Sequence, residues 1–424
     1  MFTRRHGLRA VLAVAAVAVI AAACSSNNGS TGNSASKKTL TIWSMPGELP
    51  PKMRAALTEE FQNTHRNVKV NYEDQEWSGI QAKTITALGS NTPPDVIEFG
   101  NTYTASFADG LVDLSGKASG LGKSSWFTGM ADSATVDGKT VAVPYLSGAR
   151  VVLYRTDMFT QAGISTPPTT LAEFTADAGK LMAKFGANPK FSALYYPGQY
   201  WYGALPFIWD AGGDIATQSG GKWTGALDSP QSIQGLTTLK NLVASFSKAP
   251  KDKNEVNQFQ TLADGTAAMV IDQAFQIPAI LKANPKLAPT DIATFPLPGV
   301  SGPAPVFAGG SNVGISAASK NQSLALDYVK LMTSPKYEKM MANEAGLLPN
   351  TTTLTTLGDS NPTLAVNFAA LKNSKFVPSA ANWGSVEGKT IIPDMLENIF
   401  TGKRSVADAA KKASEEITTE LNAN

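Results

Sequence analysis

The sequence predicts an α/β protein built as two lobes, and three observations carry that expectation. Strand-like and helix-like stretches alternate from the first residues that read as ordered, near Lys38. A long middle, residues 155 to 290, reads as mostly helical with aromatic and Gly-rich loops, and strand-like stretches flank it on both sides. The chain's 424 residues also exceed what one hydrophobic core usually organises.

The elements follow in order. "KTLTIWSM" reads as a buried strand. "PPKMRAALTEEFQNTH" has helical spacing, with Pro50 and Pro51 at its start, where a missing N–H costs nothing. "NVKVNYEDQEW" alternates as a strand does, "SGIQAKTITALGSN" is helical, and "PPDVIEFG" is a short strand. Such alternation favours parallel pairing, and the ligands of parallel α/β sheets sit beyond the carboxyl ends of the strands. "VPYLSGARVVLYRTDMF" and "FAGGSNVGISAAS" flank the helical middle as candidate crossovers between lobes. The sequence shows no repeat of fixed period.

Residues 1–23 read as an export signal: a basic head with Arg4, Arg5 and Arg9, then the apolar run "VLAVAAVAVIAAA". That run is shorter than the about 20 residues of a membrane span. A polar, small-residue linker over 24–37 follows. Cys24 is the only cysteine, so no internal disulfide is expected. Loss of the three arginines takes the formal charge from +2 to −1, which leaves no electrostatic footprint for nucleic acid. His65 is the one histidine beyond the signal, which argues against a zinc site or a Cys/His nucleophile. No metal and no cofactor are expected.

Three clusters leave the carboxyl ends of the first three strands and should share one cleft: Trp43 to Glu48, Glu76 with Trp77, and Phe99 to Tyr103. Met45, Glu48, Glu76, Trp77, Asn101 and Thr102 are the candidate ligand contacts there, with helix capping the competing role for Asn101 and Thr102. A second aromatic wall is suggested by "YYPGQYWYGALPFIWDAGGDI", where Tyr195, Tyr196, Tyr200, Trp201, Tyr202 and Trp209 crowd into a Gly- and Pro-broken stretch. At least half of these should be core. Tyr200 and Trp201, between Gly198 and Gly203, are the candidates to face a ligand. "AGGSN" offers backbone N–H groups at Gly309, Gly310 and Ser311, and the same glycines suit a hinge. Aromatic plates with planar polar groups are what a sugar requires, apolar faces for its C–H groups and hydrogen bonds for its rim.

Taken together, "LTIWSM", "PPDVIEFGNTYTASFADGLVDLS", "VAVPYLSGARVVLYRTDMFTQAGI", "GTAAMVIDQAF" and "AGGSNVGISAASKNQSLALDYVKLMTSP" resemble the extracellular sugar-binding proteins of ABC importers, the maltose-binding-like family. Within it the chain looks most similar to actinobacterial lipoproteins for disaccharides and short oligosaccharides, including those that bind chitobiose. The resemblance implies a two-lobed periplasmic-binding-protein (Venus flytrap) fold whose hinge the chain crosses three times, with one lobe over 38–148 and 315–365 and the other over 149–314 and 366–424. It places Asp272 and Phe275 after "AAMVI", Trp383 in "AANWGS" and Tyr145 among the sugar contacts. Arg150 reads as a structural ion pair near the hinge. Cys24 after three alanines resembles a bacterial lipoprotein processing site, with Ala21 where such sites usually carry Leu, and "TRRHGLR" resembles a twin-arginine export signal with Gly7 in the usual Phe position.

The expected partners are thus a di- or oligosaccharide, the permease subunits of an ABC importer, and the membrane through lipid on Cys24, with the protein a monomer on the outer face of the cell membrane. Enzyme motifs fail. "GSVEGKT" has three residues between its glycines where a phosphate loop needs four, and "GGSNVG" has Val313 where a nucleophile elbow needs Gly. Glu48, Glu76, Glu98, Asp272 and Glu387 offer no distinguished acid pair for a glycoside hydrolase. A lipid-anchored scaffold would not need a cleft full of Trp and Tyr. A glycerophosphodiester would need a basic cleft, and Arg150 is the one cation near the expected site.

Overall fold

The computed structural model describes residues 37–423; the export signal, the linker over 24–36 and Cys24 lie outside the described residues. A ten-stranded sheet runs through the molecule. Strand Lys38–Ser44 sits between Val68–Asp74 and Val96–Gly100, parallel to both, as the alternation predicts. The helix between the first two strands, Pro51–Thr64, begins at Pro51 and buries Met53, Leu57 and Phe61 on one face. Helix Ile80–Leu88 returns the chain to Val96–Gly100.

Two long strands continue the sheet. Val306–Ile315 runs antiparallel to Val96–Gly100, setting Ser311 opposite Gly100. Val143–Arg155 pairs with it from Val143 to Ala149, then pairs from Arg150 to Tyr154 with Ala267–Gln273. Ala267–Gln273 is parallel to Ser192–Tyr195. All thirteen residues of Val143–Arg155 are buried, which fits a strand rich in Val, Leu and Tyr that is covered on both faces.

The first long strand divides its length between two cores. Tyr145 and Leu146 pack with Leu40, Ile42, Phe99 and the late residues Val313 to Met341. Val152 and Tyr154 pack with Leu194, Tyr196, Trp201 and the C-terminal helices through Leu421. A third cluster, holding Ala149, Val151, Leu153, Met130 and Leu371, takes the residues that alternate with Val152 and Tyr154 and so lies on the opposite face of that strand. Each fully buried Leu, Ile or Val contributes roughly 1.5–3 kcal/mol relative to exposure.

Several local expectations need correction. The middle is less uniformly helical than its composition suggests, since it also holds the hairpin Ala216–Ser219 with Lys222–Gly225. Strand Ala267–Gln273 runs past "AAMVI" to include Asp272, whose Oδ1 accepts from the Gln273 N–H at 2.7 Å. As the strand-like reading of "FAGGSNVGISAAS" expects, Gly309 to Ser311 lie in the middle of a strand, opposite Gly148, Ser147 and Leu146, so their backbone is engaged by the sheet rather than offered to a ligand. Gly310 has φ +141°, and a Cβ there would overlap the Leu146 carbonyl oxygen, so only glycine fits.

Candidate functional site

Because the first three strands are parallel, their carboxyl ends deliver three loops to one edge, and the adjacent antiparallel strand brings Ser311 to the same place. Glu48 is half-buried; its carboxylate accepts from Ser311 Oγ at 2.5 Å and its backbone carbonyl accepts from the Tyr145 hydroxyl at 2.7 Å. Beneath it Glu98 Oε2 accepts from the Met45 N–H at 2.8 Å. Burial, followed by the neighbouring Glu48 carboxylate, pushes Glu98 well above the usual carboxylate range. Glu98 therefore favours its neutral, protonated form.

Trp77, three residues past the end of Val68–Asp74, is 43% exposed. Its ring lies over Gly100, 3.4 Å from where a Cβ would stand, with the Tyr103 ring at 3.6 Å from the same point. Glu76 beside it is exposed. Asn101 is buried and does not cap a helix: its Nδ2 donates to the Ala308 carbonyl at 2.8 Å, tying the end of one strand to the long strand beside it. Thr102 and Tyr103 remain partly open.

On the facing side Tyr202 is the partly open member of its aromatic stretch. It stacks on Phe307 with ring centres 4.8 Å apart and on Trp201 at 3.9 Å, and Phe307 stacks in turn on Phe376 at 5.8 Å. Trp201 is 6% exposed and Trp383 1%, their rings 6.1 Å apart. Both of these expected contacts lie behind the surface of this wall rather than on it. Tyr200 is likewise fully buried, its hydroxyl accepting from Arg150 Nε at 2.7 Å. Tyr145 and Met45 are also closed off, at 0% and 1% exposure.

Arg150 forms the ion pair expected of it, with Glu255 at 2.7 Å, and its guanidinium lies 4.2 Å from the Tyr202 ring centre. Glu255 holds φ +34°, an uncommon conformation for a residue with a side chain, at the tip of a loop that reaches this arginine. Asp272, buried on the neighbouring strand, is pushed up to about 6 by burial, against the pull of its own backbone hydrogen bond and of Arg150.

Glu387 joins the two sides. Its Oε1 accepts from Trp383 Nε1 at 2.8 Å, and its Oε2 accepts from Thr102 Oγ1 at 3.3 Å. Nearby, Ser106 Oγ donates to the Ala381 carbonyl at 2.9 Å. Glu387 keeps some surface open, yet the atoms around it withdraw it from bulk water and push its pKa up to about 7. A residue lining an enclosed cleft behaves this way. Trp383 and Glu387 stand four apart, one turn of the helix Trp383–Gly388.

Thr102, Glu387, Trp383, Trp201, Tyr202, Phe307 and Arg150 thus form one chain of contacts, with Trp77 and Tyr103 beside its Thr102 end over Gly100. The expected contact Phe275, 41% exposed, lines a separate hollow of about 590 Å³ with Ser147, Gly148, Gln273 and Leu348. In the sequence Tyr202 stands among the aromatics with nothing to distinguish it and Glu387 stands only among the acids; the i, i+4 spacing from Trp383 is the available signal. Among the described residues there is no cluster able to hold a metal ion and no helix long and apolar enough to cross a membrane.

This chemistry suits a polyol held between rings: aromatic faces, a buried carboxylate acceptor, and hydroxyls at the rim. The comparisons with known proteins agree. The family model described as "Bacterial extracellular solute-binding protein" matches residues 46–339. The diacetylchitobiose binding protein DasA of Streptomyces coelicolor is 35% identical over 391 residues, 91% of this chain and 90% of that protein. Two solved structures share the fold. The GacH receptor of Streptomyces glaucescens has TM-score 0.77 at 24% identity, over 91% of this chain and 98% of that one. The sugar-binding protein MalE of Xanthomonas citri has TM-score 0.80 at 21% identity, over 91% and 97%. The architecture is therefore the two-lobed α/β fold of periplasmic binding proteins. With its family model covering most of the described residues and a relative matched along nine-tenths of both chains, this protein belongs to the bacterial extracellular solute-binding proteins.

Proposed function

We propose that the protein is the lipid-anchored, extracellular substrate-binding component of a carbohydrate ABC importer. It captures a disaccharide or short oligosaccharide between its lobes and hands it to the membrane permease as a monomer, without chemistry on the ligand. The observation that carries this reading is the facing pair of walls, Trp77 with Tyr103 on one side and Tyr202 stacked on Phe307 on the other, with Glu387 between them. The similarity to a diacetylchitobiose binding protein directs attention to amino-sugar disaccharides first.

The lobes divide at residues 148, 314 and 365, and the segregation of the first two cores on the strands Val143–Arg155 and Val306–Ile315 supports that division. Sugar that bridges both walls favours the closed form and shifts the population towards it. Trp77, Thr102, Glu48 and Tyr202 make the ligand contacts; Asp272, Ser311, Tyr145 and Trp383 hold them in place. Cys24 carries the lipid, and the linker after it gives the lobes reach. A dissociation constant on the order of 0.1 to 10 μM suits scavenging with release.

The test is a thermal-shift and tryptophan-fluorescence screen of the purified protein against mono-, di- and trisaccharides, N,N′-diacetylchitobiose, cellobiose, xylobiose and maltose among them, with glycerophosphodiesters as controls. A sugar that raises the midpoint by several degrees without product release is the expected result. Silence across the sugars with a response to a phosphodiester overturns the reading, and release of monosaccharide replaces it with a hydrolase.

A further inference from the structure

The cleft holds an electrostatic asymmetry. Arg150, the cation stacked on Tyr202, is already engaged by Glu255, by the Tyr200 hydroxyl and by the face of that ring. Glu387 has no such compensation: among the described residues no cation pairs with it, and its protein partners are two neutral donors, Thr102 and Trp383. Its ionised form, which predominates above about 7, offers about four acceptor positions, so about two remain open. Tyr103 and Tyr202 are the titratable neighbours, and burial holds both hydroxyls above their ordinary range, so both are neutral here. Further along the same cleft edge stands Glu48, whose carboxylate meets the Ser311 hydroxyl and the Glu98 acid.

Resting on the sugar-capture reading above, we propose that Glu387 is the specificity-determining residue of the cleft, accepting a hydrogen bond from a hydroxyl or ammonium group of the captured solute and thereby selecting neutral or cationic sugars over anionic ones. The physical reason is desolvation. A carboxylate withdrawn from water without a cation is costly unless its lone pairs are satisfied, and closure leaves the solute as the remaining source of donors. A phosphate or uronate in the same place sets two anions together in a medium where their repulsion is poorly screened. The flanking aromatic rings add attraction for a positively charged group and none for an anion. The position of Glu387, bonded on one side to Thr102 and on the other to Trp383, makes the contact conditional on the two walls meeting.

The experiment is isothermal titration of the purified protein and its E387Q and E387D variants with three neutral disaccharides (N,N′-diacetylchitobiose, cellobiose and maltose), the glucosamine dimer as cation and cellobiouronic acid as anion. For the wild type the best neutral sugar is expected to bind at least tenfold tighter than cellobiouronic acid. E387Q is expected to weaken that neutral sugar by about 10- to 100-fold, the range of one lost charge-assisted hydrogen bond, to weaken the glucosamine dimer more, and to narrow the discrimination against the anion. Should E387Q fail to fold, E387D withdraws the carboxylate by one methylene and is expected to lose at least about tenfold in affinity while still rejecting the anion. Unchanged neutral-sugar affinity in E387Q, or in E387D if that is the variant that folds, overturns the inference while leaving sugar capture standing. Equal wild-type affinity for cellobiouronic acid does the same. If none of the sugars binds the wild type, the capture reading itself falls and this inference falls with it.

Discussion

Replacing Glu387 with Gln should change how stability depends on pH, by an amount the structure sets. Burial pushes the group from 4.5 up to about 7, against hydrogen bonds from Trp383 and Thr102 that favour the charged form. Between those two values the folded protein holds a proton that the unfolded chain has released. The stabilisation is therefore complete below about 4.5 and is lost as pH rises through about 7. A difference of about 2.5 pKa units corresponds to about 3 kcal/mol, and the residue's partial exposure lowers this towards 2. The amide of the variant has no proton to lose. Urea unfolding of both proteins at about pH 4.5 and pH 8, followed by tryptophan fluorescence, should show the variant gaining about 2–3 kcal/mol relative to wild type at the higher pH. Asp272, raised from 3.8 to about 6, titrates in both proteins and cancels from the comparison. A wild-type-to-variant difference equal at both pH values to within about 0.5 kcal/mol would refute the argument that Glu387 is withdrawn from solvent.

Other perturbations test neighbouring parts of the structure. Trp77→Ala should weaken sugar binding about tenfold or more while leaving the melting temperature nearly unchanged, because the ring is 43% exposed; titration and thermal melts read the two effects separately. Trp201→Ala should instead destabilise the fold by about 3–5 kcal/mol in chemical denaturation, since its ring packs on Tyr202, Phe307 and Trp383. Arg150→Leu should cost about 2–4 kcal/mol by the same assay through the lost stacking on Tyr202 and the lost bond to the buried Tyr200 hydroxyl, whereas Glu255→Gln costs less because that carboxylate reaches water. Gly310→Val should abolish soluble expression or lower the melting temperature by more than about ten degrees, because its Cβ would strike the Leu146 carbonyl.

The sequence made the first three strands and their helices legible because each repeats its own period and is punctuated by proline or glycine at the ends. That was enough to put Glu48, Trp77 and Thr102 on one edge, since parallel pairing fixes where the carboxyl ends point. It was not enough to sort Tyr200, Trp201 and Tyr202. Three consecutive aromatics in an irregular loop carry no periodicity, and which ring stays open depends on Phe307 and Trp383, more than a hundred positions away. The same limit applies to Gly309 to Ser311, whose strand character is legible but whose N–H groups read as ligand donors because the two neighbouring strands that flank them come from distant parts of the chain. For Asn101 the sequence leaves a capping role open, and it is the Ala308 carbonyl, from a distant strand, that takes its amide instead. Glu387 was reachable through its one-turn spacing from Trp383, but its partner Thr102 belongs to a distant part of the chain.

The division of the two long strands between cores also sets an order of events in the making of the protein. The core that starts with Leu40 and Ile42 is finished by Val313 to Met341, and the one containing Val152 is finished by helices that end near Leu421. Neither can close while the last quarter of the chain has yet to be synthesised, so the nascent polypeptide stays loosely organised through most of its translation. The long-range topology thus ties the compact state of both lobes to the arrival of the last residues of each core, so that truncation within the last helices should unmake one core while leaving the strands of the other paired.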